Sequence, residues 1–320
     1  MEGQVPIAQA TRNGFVESVH AGHAVLVDPD GSVVRSWGRP EDPVLPRSSN
    51  KPLQAAGMLA AGLDLEGAQL AVASASHNGE PFHLDAVRAI LAAGGLAEAD
   101  LANTPALPYA AALPYSPDVR AQWLRAGVGP SSLTQNCSGK HAAMLRTALV
   151  LGASTVGYLD PEHPVQQAAL AGIERLSGEQ AAATGVDGCG APVVAISLVG
   201  LARAFSRMRL APPDTPEARV AHAMSTHPRY VGGTGRDVTA FMQALPGAIA
   251  KDGAEAVHAF ALPDGRAGAL KVADGSERAR AAVVVSLLRH LGVPDEVLVA
   301  SAPAPVLGGG RPVGRVEGLI

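Results

Sequence analysis

Two β-hairpin signatures lie toward opposite ends of this 320-residue chain, and any fold must bring them together around the material between. Near the N-terminus "AVLVDPDGSVVRSW" sets two β-branched runs, Val25 to Val27 and Val33 to Trp37, around an Asp-Pro-Asp-Gly turn. Near the C-terminus "AVHAFALPDGRAGALKV" repeats the pattern around Pro-Asp-Gly-Arg. Most of what separates them reads as helix. The stretches near 52–62, "PFHLDAVRAILAAGG", "HPVQQAALAGIERLSG" and "RARAAVVVSLLRHLG" carry the helical period, and another helix is expected from about Lys140 to Leu151. "APVVAISLVGLARAFSRM" combines a strand with a helix, and "GAQLAVASASHNGE" reads as a short strand-like apolar run that ends in a polar turn. The Pro-, Ala- and Tyr-rich segment 101–118 reads as a long surface loop. These features predict an α+β fold: one antiparallel sheet assembled from both chain ends and flanked by helices, with a mostly helical second lobe. No repeat or linker divides the chain, so residues 1–320 are expected to form one unit of two intimately packed lobes.

Charge and cysteine usage narrow the classes of partner. A formal net charge of −4 without any run of Lys and Arg argues against nucleic acid. The N-terminus lacks the basic and apolar regions of a signal peptide, and apolar runs break well before the ~18 residues of a membrane span. A soluble, cytoplasmic protein is expected. Two cysteines, Cys137 and Cys189, are too few for a disulfide framework, so their chemistry matters more than crosslinking.

Six short stretches could carry chemistry. In "PRSSNKPLQ", Ser48 and Lys51 stand three residues apart, which on a helical turn puts both on one face. A serine hydroxyl needs a neighbouring base to attack, and a lysine becomes one where burial or positive charge lowers its pKa. Pro52 pushes Lys51 toward the helix boundary. "SASHNGE" offers Ser74, Ser76, His77, Asn78 and Glu80. "NCSGKH" brings Asn136, Cys137, Lys140 and His141 to a helix start, and "VDGCGAP" puts Asp187 two residues before Cys189 between glycines. Soft thiolates with a neutral amine or carboxylate can hold zinc, although the CxxC spacing of a strong zinc motif is absent. "VGGTGR" lacks the Lys-Ser/Thr ending of a phosphate loop and reads instead as a backbone nest, with Gly233 in the loop and Arg236 beside it, suited to a small carboxylate. "LKVADG" places Lys271 on a hairpin strand.

Together and in this order, "PRSSNKPLQ", "ASHNGE", "NCSGKHAAML", "DGCGAP", "YVGGTGR" and "LKVADG" resemble the motif set of the L-asparaginase II family, spanning residues 46 to 275. The resemblance implies a fold like that of serine β-lactamases, penicillin-binding proteins and serine glutaminases. It implies Ser48 and Lys51 as the SxxK pair, and Lys271 as the edge-strand lysine facing it, with Ser76 nearby. Ser49 and Ser74 are the neighbouring alternatives. It also implies zinc on Cys137, Lys140 and Cys189, with Asp187 close by and no organic cofactor. Substrate contacts are expected from Arg47, His77, Asn78, Asn136, Lys140, Asp187, Gly233 and Arg236, and a homodimer is expected. The implied reaction is hydrolysis of L-asparagine to L-aspartate and ammonia through an acyl-enzyme. A glutaminase, a β-lactam-directed hydrolase or a non-catalytic binder of a small amino acid are the alternatives.

Overall fold

The computed structural model describes residues 2–108, 123, 125–127, 129–298 and 305–320. The N-terminal strands are β1 (Val5–Arg12), β2 (Phe15–Val27), β3 (Val33–Trp37) and the short β4 (Pro43–Val44). A 3-10 turn, Arg47–Asn50, then runs directly into α1 (Lys51–Ala60), followed by α2 (Gly67–Ala73), α3 (Pro81–Ala92), α4 (Ser138–Val150) and α5 (Pro164–Ser177). Next come β5 (Ala183–Val186), β6 (Pro192–Ser197), α6 (Leu198–Leu210), α7 (Pro216–Thr226), α8 (Pro228–Val231) and α9 (Asp237–Ala244). The chain returns to the sheet through β7 (Ile249–Gly253), β8 (Val257–Ala261) and β9 (Ala267–Val272). It closes with α10 (Glu277–His290), α11 (Asp295–Leu298), β10 (Val306–Gly308), β11 (Arg311–Gly314) and β12 (Val316–Gly318).

Both hairpins form where the turns predict them, and they join. The sheet order is β12-β1-β2-β9-β8-β7, with β3 also paired to β2, and every pairing in it is antiparallel. The seam between the chain ends is β2 against β9, where His23 lies opposite Lys271. Every residue of β7, β8 and β9 is buried, so this half of the sheet is covered on both faces. One continuous buried cluster runs from Ile7 and Val25 in the sheet through Leu53 and Leu145 in the helical half to Leu288 in α10.

Two local expectations change, and a third falls largely outside the described residues. The run Gly67–Ala73 is a helix, not a strand: it shows no alternation, and it buries Leu70, Ala71, Val72 and Ala73 together. Short apolar runs of this length fit either structure until packing decides. Lys51 is helical (φ −56°, ψ −38°) despite preceding Pro52, because the 3-10 turn before it delivers the chain already coiled, and its N–H bonds Ser48 O. Of the expected loop 101–118, residues 109–118 lie outside the described residues.

Glycines set the position of α1. A Cβ on Gly172 of α5 would stand 2.5 Å from Leu53 O and 2.7 Å from Gly57 Cα, so the two backbones touch there. We expect Gly172→Ala to lower the urea midpoint, at a cost of about 1–3 kcal/mol, because the helices must separate. An unchanged midpoint in a denaturation curve would show that they part freely. Gly253 acts similarly at the end of β7, where a Cβ would meet Pro46 O at 2.5 Å and Ser49 N at 3.2 Å. The serine-bearing turn therefore rests directly on the edge strand.

Candidate active site

Where α1 begins, the 3-10 turn, the segment after α2 and strand β7 converge. Lys51 Nζ lies 2.6 Å from Ala75 O, 3.1 Å from Ser76 Oγ and 3.1 Å from Cys137 Sγ. From the other side Lys251 Nζ lies 2.9 Å from the same Ser76 Oγ. Ser76 is 4 % exposed and Lys251 wholly buried, so one serine hydroxyl is held between two desolvated amines. Lys251 also donates to Asp252 O at 2.7 Å and Asp252 Oδ1 at 2.6 Å. Burial lowers its pKa to about 8, against the opposing pull of the Asp252 carboxylate.

Ser48 lies one turn before Lys51 and is only half-buried, and among the described residues no hydrogen bond engages its hydroxyl. The neighbouring serines are committed elsewhere. Ser49 Oγ donates to Pro46 O at 2.6 Å and Ser74 Oγ to Leu70 O at 3.3 Å. Arg47, at the head of the turn, has left-handed backbone (φ +53°), and its Nε donates to Asp187 Oδ1 at 2.8 Å. Backbone strain of this kind in a non-glycine residue persists only where its surroundings hold it.

The expected place of Lys271 is corrected. It lies on β9, an interior strand, and its ammonium donates to Glu255 O at 2.5 Å and Val272 O at 2.7 Å, so it braces the β7–β8 turn. The edge-strand lysine that reaches Ser76 is Lys251. The sequence held a signal for it. Ser48-x-x-Lys51, Ser76-His-Asn78 and Lys251-Asp-Gly253 follow the order of the SxxK, SxN and KTG elements of serine β-lactamases, with Asp in place of Thr.

Cys137, Lys140 and Cys189 do come together. Lys140 Nζ lies 3.3 Å from Cys189 Sγ, and both cysteines are buried and unbridged. A hydrogen bond from Cys189 pulls the Cys137 thiol well below its ordinary pKa, and Lys51 and Lys140 help it against burial. The same bond, with burial, pushes the Cys189 thiol up. Burial opposes the charge of Lys140, but the thiols and Asp187 outweigh it and raise the lysine's pKa. Burial likewise disfavours the Asp187 charge, but Lys140, a backbone N–H and Arg47 hold its carboxyl below the usual range. Among the described residues no group of three or more His, Cys, Asp or Glu side chains could hold a metal ion. The donor set here is two sulfurs and one amine, which fits zinc once Lys140 gives up its proton.

Several expected substrate contacts are occupied by the fold itself. His77 is buried. Its Nδ1 accepts from Gly79 N at 3.1 Å, its Nε2 lies 2.9 Å from Ser138 Oγ, and its ring stacks on His83. Burial keeps it neutral, with a pKa well below the ordinary value. Asn78 Nδ2 donates to Thr234 O at 3.0 Å, and a Cβ on Gly233 (φ +125°) would strike Asn78, so Gly233 is required for packing. The glycine-rich loop does hold a carboxylate, but it is the chain's own: Thr234 N donates to Glu80 Oε2 at 2.9 Å. Arg236 is buried and paired to Asp252 Oδ2 at 2.6 Å. Asn136, half-buried, keeps its Oδ1 3.1 Å from Cys137 Sγ and stays beside the thiols. Arg47, Asn136, Lys140 and Asp187 thus remain grouped near the serines' side of the cysteines. A separate cavity of about 670 Å³ between α6, α7 and α9, lined by Met208, Arg209, His222 and Met242 among others, contains none of these residues.

No helix among the described residues is long and apolar enough to cross a membrane. At the sequence level no curated protein matches the chain. Solved structures similar to it include a β-lactamase from Mycobacterium bovis, 14% identical, TM-score 0.46, covering 85% of this chain and 95% of that one. Another is a chain from Bacteroides dorei assigned to the β-lactamases, 15% identical, TM-score 0.45, covering 84% and 93%. The sequence model of L-asparaginase II matches residues 8–318, nearly the whole chain and all of the serine, lysine and cysteine cluster, and the protein is therefore a member of the L-asparaginase II family.

Proposed function

We propose that the protein hydrolyses the side-chain amide of L-asparagine to L-aspartate and ammonia. The observation that carries this reading is Ser76 Oγ held between two buried lysines, 3.1 Å from Lys51 and 2.9 Å from Lys251, with Ser48 one turn before Lys51. An ammonium has three protons to donate, and Lys251 meets three acceptors: Asp252 O, Asp252 Oδ1 and Ser76 Oγ. Ser76 therefore accepts from Lys251, and Lys51, which also donates to Ala75 O and Cys137 Sγ, donates to the same hydroxyl from the other side. That forms a hydrogen-bonded path from Lys251 through Ser76 to Lys51.

In the proposed reaction the more accessible Ser48 attacks the amide carbon and Lys51 takes the serine proton. The proton is passed to the leaving nitrogen, ammonia departs, and an aspartyl ester remains on Ser48. Water, deprotonated by the same groups, then hydrolyses the ester and restores the serine. Arg47 and Asp187, now paired to each other at 2.8 Å, would have to exchange that pairing for the carboxylate and ammonium of a free amino acid. Zinc, if bound, would be held by Cys137, Lys140 and Cys189 and would supply a fixed positive charge beside the substrate.

Ammonia release from asparagine tests the reading, with glutamine and a β-lactam measured alongside. We expect kcat/KM for asparagine to exceed both of the others, an expectation supported by the L-asparaginase II match over residues 8–318. Preferential release from glutamine would make the protein a glutaminase. Ester formation from the β-lactam alone would make it a β-lactam-directed enzyme. Thermal stabilisation by asparagine without ammonia would leave a binding protein.

A further inference from the structure

Asp252 has no role in the reaction described above, yet its two carboxylate oxygens bind two buried cations of the site's framework. Its Oδ1 lies 2.6 Å from Lys251 Nζ and its Oδ2 2.6 Å from Arg236 Nη2. Arg236 in turn donates through Nη1 toward Ser76 O at 3.3 Å and Asn78 Oδ1 at 3.4 Å. All three charged residues are buried, and Asp252 is 5 % exposed. Placing a carboxylate there is costly unless it is paired on both oxygens, which is what the two cations do.

Resting on the amide-hydrolase reading, we propose that Asp252 is a positioning residue. Its carboxylate fixes Lys251 as the hydrogen-bond donor to Ser76, and through Arg236 it clamps the Ser76–Asn78 turn onto the edge strand. One side chain thereby sets both members of the Ser76–Lys251 pair, the amine directly and the serine through the guanidinium. Gly253, the next residue, admits the Ser48 turn to the same strand end, so Lys251, Asp252 and Gly253 together align both serines.

The charges facing Lys251 determine what the test should read. Lys51 from α1 and Arg236 from the start of α9 disfavour its ammonium form, and Asp252 favours it. His258 on β8 is buried, has neither ring nitrogen bonded, and is held neutral by burial, with its pKa down to about 4. Asp237 of α9 is tied to Arg280 of α10 at 2.9 Å. Removing the Asp252 charge should therefore lower the Lys251 midpoint, and removing the Arg236 charge should raise it.

The experiment is a pH titration of the full chain labelled with 13C at lysine Cε, followed by NMR, with the Lys251 signal assigned by its loss in Lys251→Arg. In the wild type a midpoint near 8 is expected. Asp252→Asn should move it down by about one unit or more, and Arg236→Gln should move it up. With asparagine, Asp252→Asn should lose about 100-fold in kcat with KM nearly unchanged, and the alkaline limb of its kcat profile should move down with the NMR midpoint. The proposal is overturned if both substitutions move the midpoint the same way. It is equally overturned if Asp252→Asn lowers only the melting temperature while kcat and midpoint hold. Should Asp252→Asn fail to fold, a midpoint in Arg236→Gln that stays or falls is sufficient to overturn it. The NMR arm needs no turnover, so a wild type that releases no ammonia would defeat the hydrolase reading and leave this test standing.

Discussion

Ser48→Ala is expected to lose about 10⁴-fold or more of kcat for asparagine, about 5 kcal/mol of transition-state stabilisation, with the fold intact. The hydroxyl has no hydrogen-bond partner among the described residues, so its removal strands none of them and should leave the melting temperature unchanged. Ser76→Ala is expected to cost less, about 10²- to 10³-fold, because it breaks a proton path and leaves the attacking group in place. Acid quench followed by intact-mass measurement separates the two. An aspartyl adduct should accumulate in Ser76→Ala and be absent in Ser48→Ala. The reverse pattern would make Ser76 the nucleophile, with both lysines as its bases.

The second large effect distinguishes Lys271, the lysine expected from the sequence, from Lys251, the one the structure brings to Ser76. Lys251→Met should lower kcat about 10³-fold or more, because Ser76 loses its donor and the path to the leaving nitrogen ends. Asp252 keeps its bond to Arg236 in that variant, so the edge strand should stay in place. Lys271→Met should change kcat within a few-fold and show its effect in stability instead, since its ammonium holds the carbonyl oxygens of Glu255 and Val272. Steady-state ammonia release and a thermal melt of each variant are the measurements. Loss of turnover in Lys271→Met with Lys251→Met active would return the catalytic role to β9.

Much of the fold was legible because its signals are local. "DPDG" and "PDGR" name their turns, and Pro164 and the glycines near 94 mark helix ends, so these elements could be read within their own windows, whereas α2 read as strand-like. The site was partly legible for the same reason. "NCSGKH" and "DGCG" announce polar turns around cysteines, and the structure brings those cysteines to one lysine. The failures were of a different kind. Lys271 and Lys251 both lie on strands of the same sheet, and the difference between them is that β7 is an edge and β9 is interior. Strand order depends on pairings between distant segments, which no local window contains. Arg236 and the "VGGTGR" loop were expected to meet a small substrate carboxylate, but in the fold Asp252 and Glu80, from elsewhere in the chain, bond to them.

By itself, then, the sequence determined the periodicities, the turns, the union of both chain ends in one antiparallel sheet, and the residue types available for chemistry. These follow from backbone geometry and burial along short stretches, where each residue's preference is expressed among near neighbours. Only the tertiary structure decided which amine meets which hydroxyl. Hydrogen bonds and desolvation act over about 3 Å, and Ser76 and Lys251 reach that distance across 175 residues only because Gly253, Gly57 and Gly172 let the serine turn, α1 and the edge strand close upon one another.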